Sequence, residues 1–89
     1  MKVRVEFFAF LRDAVGKKED EFECDCSAPE ELVEELFKRY PALAAENEEY
    51  KDYGLELKIL INGREWRYLD SLGNEKEVEV AVFPPAAGG

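Results

Sequence analysis

The sequence contains no histidine. Histidine is the side chain whose ordinary pKa lies near neutrality, so the chain lacks the usual group for acid-base catalysis at neutral pH. No ordinary zinc site can be assembled either, because the remaining soft ligands are two cysteines. Cys24 and Cys26 are too few and too close for a disulfide framework. A reactive or metal-binding Cys-x-Cys pair would need an accessible setting that stabilises thiolate, and no basic group or histidine stands close by in sequence. A structural role is expected for both.

Basic residues are also scarce, 12 against 21 acidic, for a formal charge of -9. Binding to phosphate backbones works by Lys and Arg displacing counterions, so nucleic acid is not expected as a partner. The acidity suits docking on a basic protein face or, equally, simple solubility. No stretch approaches the roughly 20 apolar residues that span a bilayer. Met1-Lys2-Val3-Arg4 leads directly into alternating residues without the apolar core of a signal peptide. The expectation is a cytoplasmic protein with no membrane partner. Internal repeats, linkers and a second domain are absent from the pattern, and 89 residues suit one domain.

What is present reads as alternating strands around a helix. Lys2 to Phe8 places Val3, Val5 and Phe7 on one face and Arg4, Glu6 and Phe8 on the other. Ala9 to Gly16 fits a short helical turn or loop, and Gly16-Lys17-Lys18 supplies the reversal. A second strand is expected from about Glu21 to Cys26, with Phe22, Cys24 and Cys26 inward. Ser27-Ala28-Pro29-Glu30 has capping-box spacing and predicts a helix start. Leu32, Val33, Leu36, Phe37 and Tyr40 then form an apolar stripe, which Pro41 is expected to end. Residues 42–54 fit a short second helix or an ordered loop.

Leu55 to Ile61 alternates again, with Leu55, Leu57, Ile59 and Ile61 on one face, and Asn62-Gly63 is the strongest short hairpin signal. Trp66 and Tyr68 are expected to mark a short return strand. Glu77 to Phe83 forms the last strand, with Val78, Val80 and Val82 inward. This order predicts an α+β domain over residues 1–83, a mixed sheet of about five strands with one main helix packed on one face, as a β-grasp requires.

Residues 84–89 read as a flexible tail. Pro84 and Pro85 fix φ and remove donors, so the chain leaves the sheet in extended form. Ala86, Ala87, Gly88 and Gly89 follow, all small. Six residues past Phe83 reach roughly 20 Å, enough for a carboxylate to enter a deep site while the domain stays outside. Glycine at the last two positions lets backbone and carboxylate pass a narrow channel. Termini are also often glycine-rich without function, but the position directly after Phe83-Pro84-Pro85 favours a working tail.

Three segments carry a resemblance to a known family. Val3 to Arg12 with Gly16, Leu60-Ile61-Asn62-Gly63-Arg64, and Val80-Ala81-Val82-Phe83-Pro84-Pro85-Ala86-Ala87-Gly88-Gly89 resemble the small subunit of molybdopterin synthase. That family belongs to the ubiquitin-like sulfur carriers, which include the archaeal small modifiers. Leu72 to Val78 is shorter than the family's usual loop and lacks its Gly-Asp pair.

The resemblance implies a β-grasp fold and a carrier rather than an enzyme in its own right. An E1-like activating enzyme would use ATP to adenylate Gly89, and a persulfide would convert the adenylate to a thiocarboxylate, with Gly88 beside it in the channel. The sulfur would pass to a precursor of the molybdenum or tungsten cofactor held by the large subunit of molybdopterin synthase. Conjugation of Gly89 to target-protein lysines, or sulfur donation for tRNA thiolation, would use the same activated end. No bound cofactor or metal is expected. Alternation places Phe8, Leu60, Ala81 and Phe83 on the sheet face opposite the helix, where they form a candidate partner-binding patch leading into Pro84, Pro85, Ala86 and Ala87.

Overall fold

The computed structural model describes residues 1–85. The tail expected from Ala86 to Gly89 lies outside the described residues. Five strands form one mixed sheet: β1 (Lys2–Phe7), β2 (Glu19–Glu23), β3 (Lys58–Ile61), β4 (Arg64–Glu65) and β5 (Glu77–Phe83), in the order β2-β1-β5-β3-β4. The first and last strands run parallel at its centre, with Val3 opposite Val78, Val5 opposite Val80 and Phe7 opposite Val82. The other three pairings are antiparallel. Two central strands that run the same way must be joined by a crossover, and the helices between β2 and β3 supply it.

The helices are α1 (Leu11–Val15), α2 (Pro29–Arg39) and α3 (Pro41–Lys51). Helix α2 turns Leu32 and Leu36 onto the inner face of the sheet, where both are fully buried with Val3, Val5, Phe7, Ile59, Ile61 and the three valines of β5. Each such leucine contributes about 2 kcal/mol by leaving water. Val33 and Tyr40 are buried as the helical stripe requires, and Phe37 packs partly against the same cluster.

The sequence expectations need several corrections. Strand β2 begins and ends earlier than Glu21 to Cys26, so Phe22 and Cys24 are buried but Cys26, beyond the strand, is only half-buried. The capping interaction sits one residue later than the Ser27–Glu30 spacing implies. The Glu31 carboxylate accepts from the backbone N–H of Ser27 and Ala28 and from the Ser27 hydroxyl, whereas Ala28, the N-cap residue, has no side chain to reciprocate. Those three bonds hold the Glu31 carboxyl below its ordinary range.

Pro41 ends α2 and also opens α3, since a proline is tolerated in a first turn. The structure thus has two helices of eleven residues, α3 occupying most of the segment for which a short second helix or an ordered loop was expected. Leu55 is exposed rather than inward, because Gly54 at φ 71° and the bond from Leu55 N–H to the Tyr50 carbonyl turn the chain before β3 begins. Asn62 and Gly63, at φ 51° and 82°, make the tight hairpin that their sequence specifies. The return strand is Arg64–Glu65, and Trp66 to Tyr68 instead form a 3-10 turn capped by Glu65, whose carboxylate accepts from the Arg67 N–H.

Tyr40 ties helix to sheet. Its ring packs edge-on against Phe7 with centroids 5.0 Å apart, and its hydroxyl donates to Asp20 at 2.8 Å. That bond, with a second from Lys17, lowers the Asp20 carboxyl, while burial and then the carboxylate push the phenol up. A carboxyl depressed in the folded state stabilises fully above its unfolded value of 3.8, and the contribution is lost as pH falls through the lower folded value. Tyr40→Phe should therefore cost about 1 kcal/mol in urea unfolding near neutral pH. The deficit should shrink on acidification below 3.8. A deficit that stays constant into acid would contradict the assignment.

Candidate functional site

Side chains of β1, β3 and β5 alternate, so every second residue points to the sheet face that the helices leave open. Near the start of β1 that face is charged. Lys2 lies between Glu23 and Glu77 in register, and Arg4 between Glu21 and Glu79. Lys2 and Arg4 both approach Glu21, at 3.3 and 3.5 Å, and Arg4 approaches Glu77 at 3.7 Å. All are exposed pairs, each contributing less than about 1 kcal/mol. One step further along, Glu6 stands between Glu19 and Ala81. Glu6, Glu19 and Glu79 enter no ion pair among the described residues.

At the far end of the strands the face becomes apolar. The Phe8 N–H donates to the Val82 carbonyl at 3.1 Å, which extends the parallel ladder by one residue and sets Phe8 beside Phe83. Their rings stack with centroids 4.3 Å apart and planes 12° apart. Leu60 faces Ala81 across the β3–β5 pair, and Lys58 faces Phe83. Phe8, Leu60, Ala81 and Phe83 are thus brought together, each half-buried. Pro84 and Pro85 continue from Phe83 and are half-buried as well. The remaining sequence-predicted site residues, Ala86, Ala87, Gly88 and Gly89, lie outside the described residues.

One residue of this pole was missed by sequence reasoning. Arg12 of α1 donates through Nε to the Phe7 carbonyl at 3.0 Å and holds its guanidinium 5.9 Å from the Phe8 ring centre. Its placement depends on Ala9, which adopts φ 55° and swings α1 back toward the strand end. A left-handed alanine leaves no sequence signal, because the conformation favours glycine. The pole therefore combines a flat aromatic pair with one guanidinium beside it. No group of three His, Cys, Asp or Glu side chains among the described residues converges to hold a metal ion.

The sequence profile of the ThiS family matches residues 5–89, nearly the whole chain. The chain belongs to the ThiS family. Its fold is the ubiquitin-like β-grasp of that family's carriers, as structural comparison also shows. A crystal structure of small archaeal modifier protein 1 from Haloferax volcanii is similar over all of both chains, with 25% identity and a TM-score of 0.69. A protein from Pyrococcus furiosus described as molybdopterin converting factor, subunit 1, shares 30% identity over 97% of this chain and 99% of its own, with a TM-score of 0.65. The solution structure of small archaeal modifier protein 1 from Methanosarcina acetivorans matches at 27% identity and TM-score 0.62, over 99% of this chain and 96% of that one. Among curated proteins no relative matches the sequence.

In this ThiS-family chain the aromatic pair should also contribute to the fold. A double-mutant cycle of Phe8→Ala and Phe83→Ala is expected to give a coupling of about 0.5–1.5 kcal/mol in denaturant unfolding. Strictly additive losses would show that the stack is not formed in solution.

Proposed function

We propose that this ThiS-family carrier is the small subunit of a molybdopterin synthase, and that its Gly89 carboxylate is the group that carries sulfur. The observation that supports this best is the continuity of β5 with the tail. The strand locked at the centre of the sheet ends at Phe83, in the stacked pair, and the sequence runs on through Pro84-Pro85 to Gly88-Gly89. Membership of the ThiS family and the likeness to a molybdopterin converting factor subunit support the same reading.

A carboxylate is a poor electrophile, so a partner must activate it. An E1-like enzyme joins Gly89 to the α-phosphate of ATP, and pyrophosphate leaves. A persulfide sulfur then attacks the acyl carbon and AMP departs; a thiol attacks the resulting sulfur–sulfur bond, forming a disulfide with the donor sulfur and releasing the thiocarboxylate. The large synthase subunit consumes that sulfur in building the dithiolene of a molybdenum or tungsten cofactor. The chain contributes the electrophile and the docking surface, and its partners contribute the catalytic groups. Phe8, Leu60, Ala81 and Phe83 form the apolar centre of the docking surface in this reading. Glu6, Glu19 and Glu79, which enter no ion pair among the described residues, suit a basic rim on the partner, which speeds encounter more than it tightens the complex. We place this chemistry in the cytoplasm.

The likeness to two small archaeal modifier proteins favours a second use of the same end, an isopeptide bond from Gly89 to a target lysine. Incubation with activating enzyme, ATP and a sulfur source, followed by intact-mass measurement, separates the two. The carrier gains one sulfur in exchange for oxygen, whereas the modifier appears as adducts on other proteins. Deleting Gly89 should abolish both, and retention of either by the truncated chain would refute the reading. Phe83→Asp should weaken binding to the activating enzyme by about tenfold or more while the circular dichroism spectrum is preserved. Unchanged affinity would remove the apolar pole from the docking surface.

A further inference from the structure

The two outer strands of the sheet differ. β4 is two residues long and passes directly into the 3-10 turn, whereas β2 runs for five residues with no strand beyond it among the described residues. An outer strand presents a row of N–H and C=O groups that its inner neighbour does not use. The register identifies them. The Phe7 N–H donates to the Lys18 carbonyl at 2.8 Å and the Cys24 N–H donates to the Met1 carbonyl at 2.9 Å. In an antiparallel pair such bonded positions alternate with unbonded ones, so the backbone of Asp20 and Phe22 also faces β1 and that of Glu19, Glu21 and Glu23 faces outward. Two of these outward groups have partners within the chain, both at the exposed surface. The Asp20 carboxylate accepts from the Glu21 N–H at 2.9 Å, and Arg39 donates to the Glu23 carbonyl at 3.3 Å. The Glu19 N–H and carbonyl, the Glu21 carbonyl and the Glu23 N–H have none among the described residues.

Charge decides what can pair on this edge. The side chains of Glu19, Glu21 and Glu23 stand in a row on the open face, opposite in direction to buried Phe22. On the helical side, Asp25, Glu31, Glu34 and Glu35 line the groove between the end of β2 and α2, with Lys38 as the one cation there. A second copy of this chain, pairing antiparallel along the same edge, would set glutamate against glutamate, and like charges directly opposite destabilise a strand pair. We infer that the outer edge of β2 is a strand-addition site for an extended, lysine- or arginine-bearing segment of a partner protein. The segment runs antiparallel to β2, since Glu19 then exchanges both of its free backbone groups with a single partner residue. Alternate cations of the segment lie on the open face beside the glutamate row. Glu19 pairs with Glu6, so that end of the edge lies toward the aromatic pair, and the site does not depend on the chemistry proposed for Gly89.

The test uses the full-length chain and a fluorescein-labelled, C-terminally amidated peptide of alternating lysine and valine, seven residues long with lysine at both ends. Fluorescence anisotropy at low salt should show saturable binding below about 1 mM. Binding should weaken as salt is added and be lost when glutamate replaces lysine in the peptide. Two N-methylated forms separate strand pairing from mere attraction, because lysine and valine amides of an extended peptide point to opposite edges. Methylating the lysine amides should cost at least about tenfold in affinity, whereas methylating the valine amides should leave it within about twofold. Hydrogen exchange should show new protection at Glu19 and Glu23 with β4 unchanged. Glu19→Lys should weaken binding about threefold or more with an unaltered circular dichroism spectrum. Absence of binding at about 1 mM, equal losses from the two methylated forms, or protection at β4 instead of β2 would overturn the site. Equal binding of the lysine and glutamate peptides would overturn the class of partner.

Discussion

The pairing of β1 with β5 sets nearly everything else in this molecule. Strands from the two ends of the chain lie side by side and parallel, in a register that opposes Val3, Val5 and Phe7 to Val78, Val80 and Val82. Because side chains alternate, the same register fixes both faces at once. A slip of one residue would bury glutamates under α2 and expose valines. It would also separate Phe8 from Phe83, whose contact depends on the Phe8 N–H reaching Val82. Core and open aromatic face are therefore two consequences of one alignment, and the central strand β5 is the one that runs on into Pro84 and Pro85.

Charge plays a different part. The acid-base-acid rows of β2, β1 and β5 are exposed, and their ion pairs contribute little to stability. Their effect is to give the open face a polarity along the strands, from a charged end at Lys2 and Arg4 to an aromatic end at Phe8 and Phe83. In the proposed docking, the aromatic end is where an apolar partner surface settles, and the polar end helps to set its direction. The interior link between Tyr40 and Asp20 plays the corresponding role inside, holding the end of α2 against the β2 edge.

Legibility in the sequence followed the strength of the local period. β1, α2 and β5 could be read because each alternates or repeats over its whole length, and Asn62-Gly63 because the turn demands those residues. Helix α3 could not be decided, since it buries only Leu43 and is polar on most of its surface. Its place is settled by tertiary contacts, such as the Asn47 side chain accepting from the Leu57 N–H. Leu55 and Trp66 were misjudged for a related reason: the apolar pattern in the sequence runs past the strand ends, ahead of β3 at Leu55 and beyond β4 at Trp66. Of the candidate docking face, alternation identified Phe8, Leu60, Ala81 and Phe83 as sharing a side. It carried no trace of the ring stack or of Arg12, both of which depend on the left-handed Ala9 and on the ladder's extra bond.

The reading as a sulfur carrier depends on a partner seizing the end of β5 rather than the helical side. Hydrogen exchange of the full chain, alone and with the activating enzyme, tests that most directly. New protection should concentrate at Phe8, Leu60 and Ala81 to Phe83, with α2 and α3 unchanged. Protection confined to the helices, with the end of β5 exchanging as in the free protein, would contradict it.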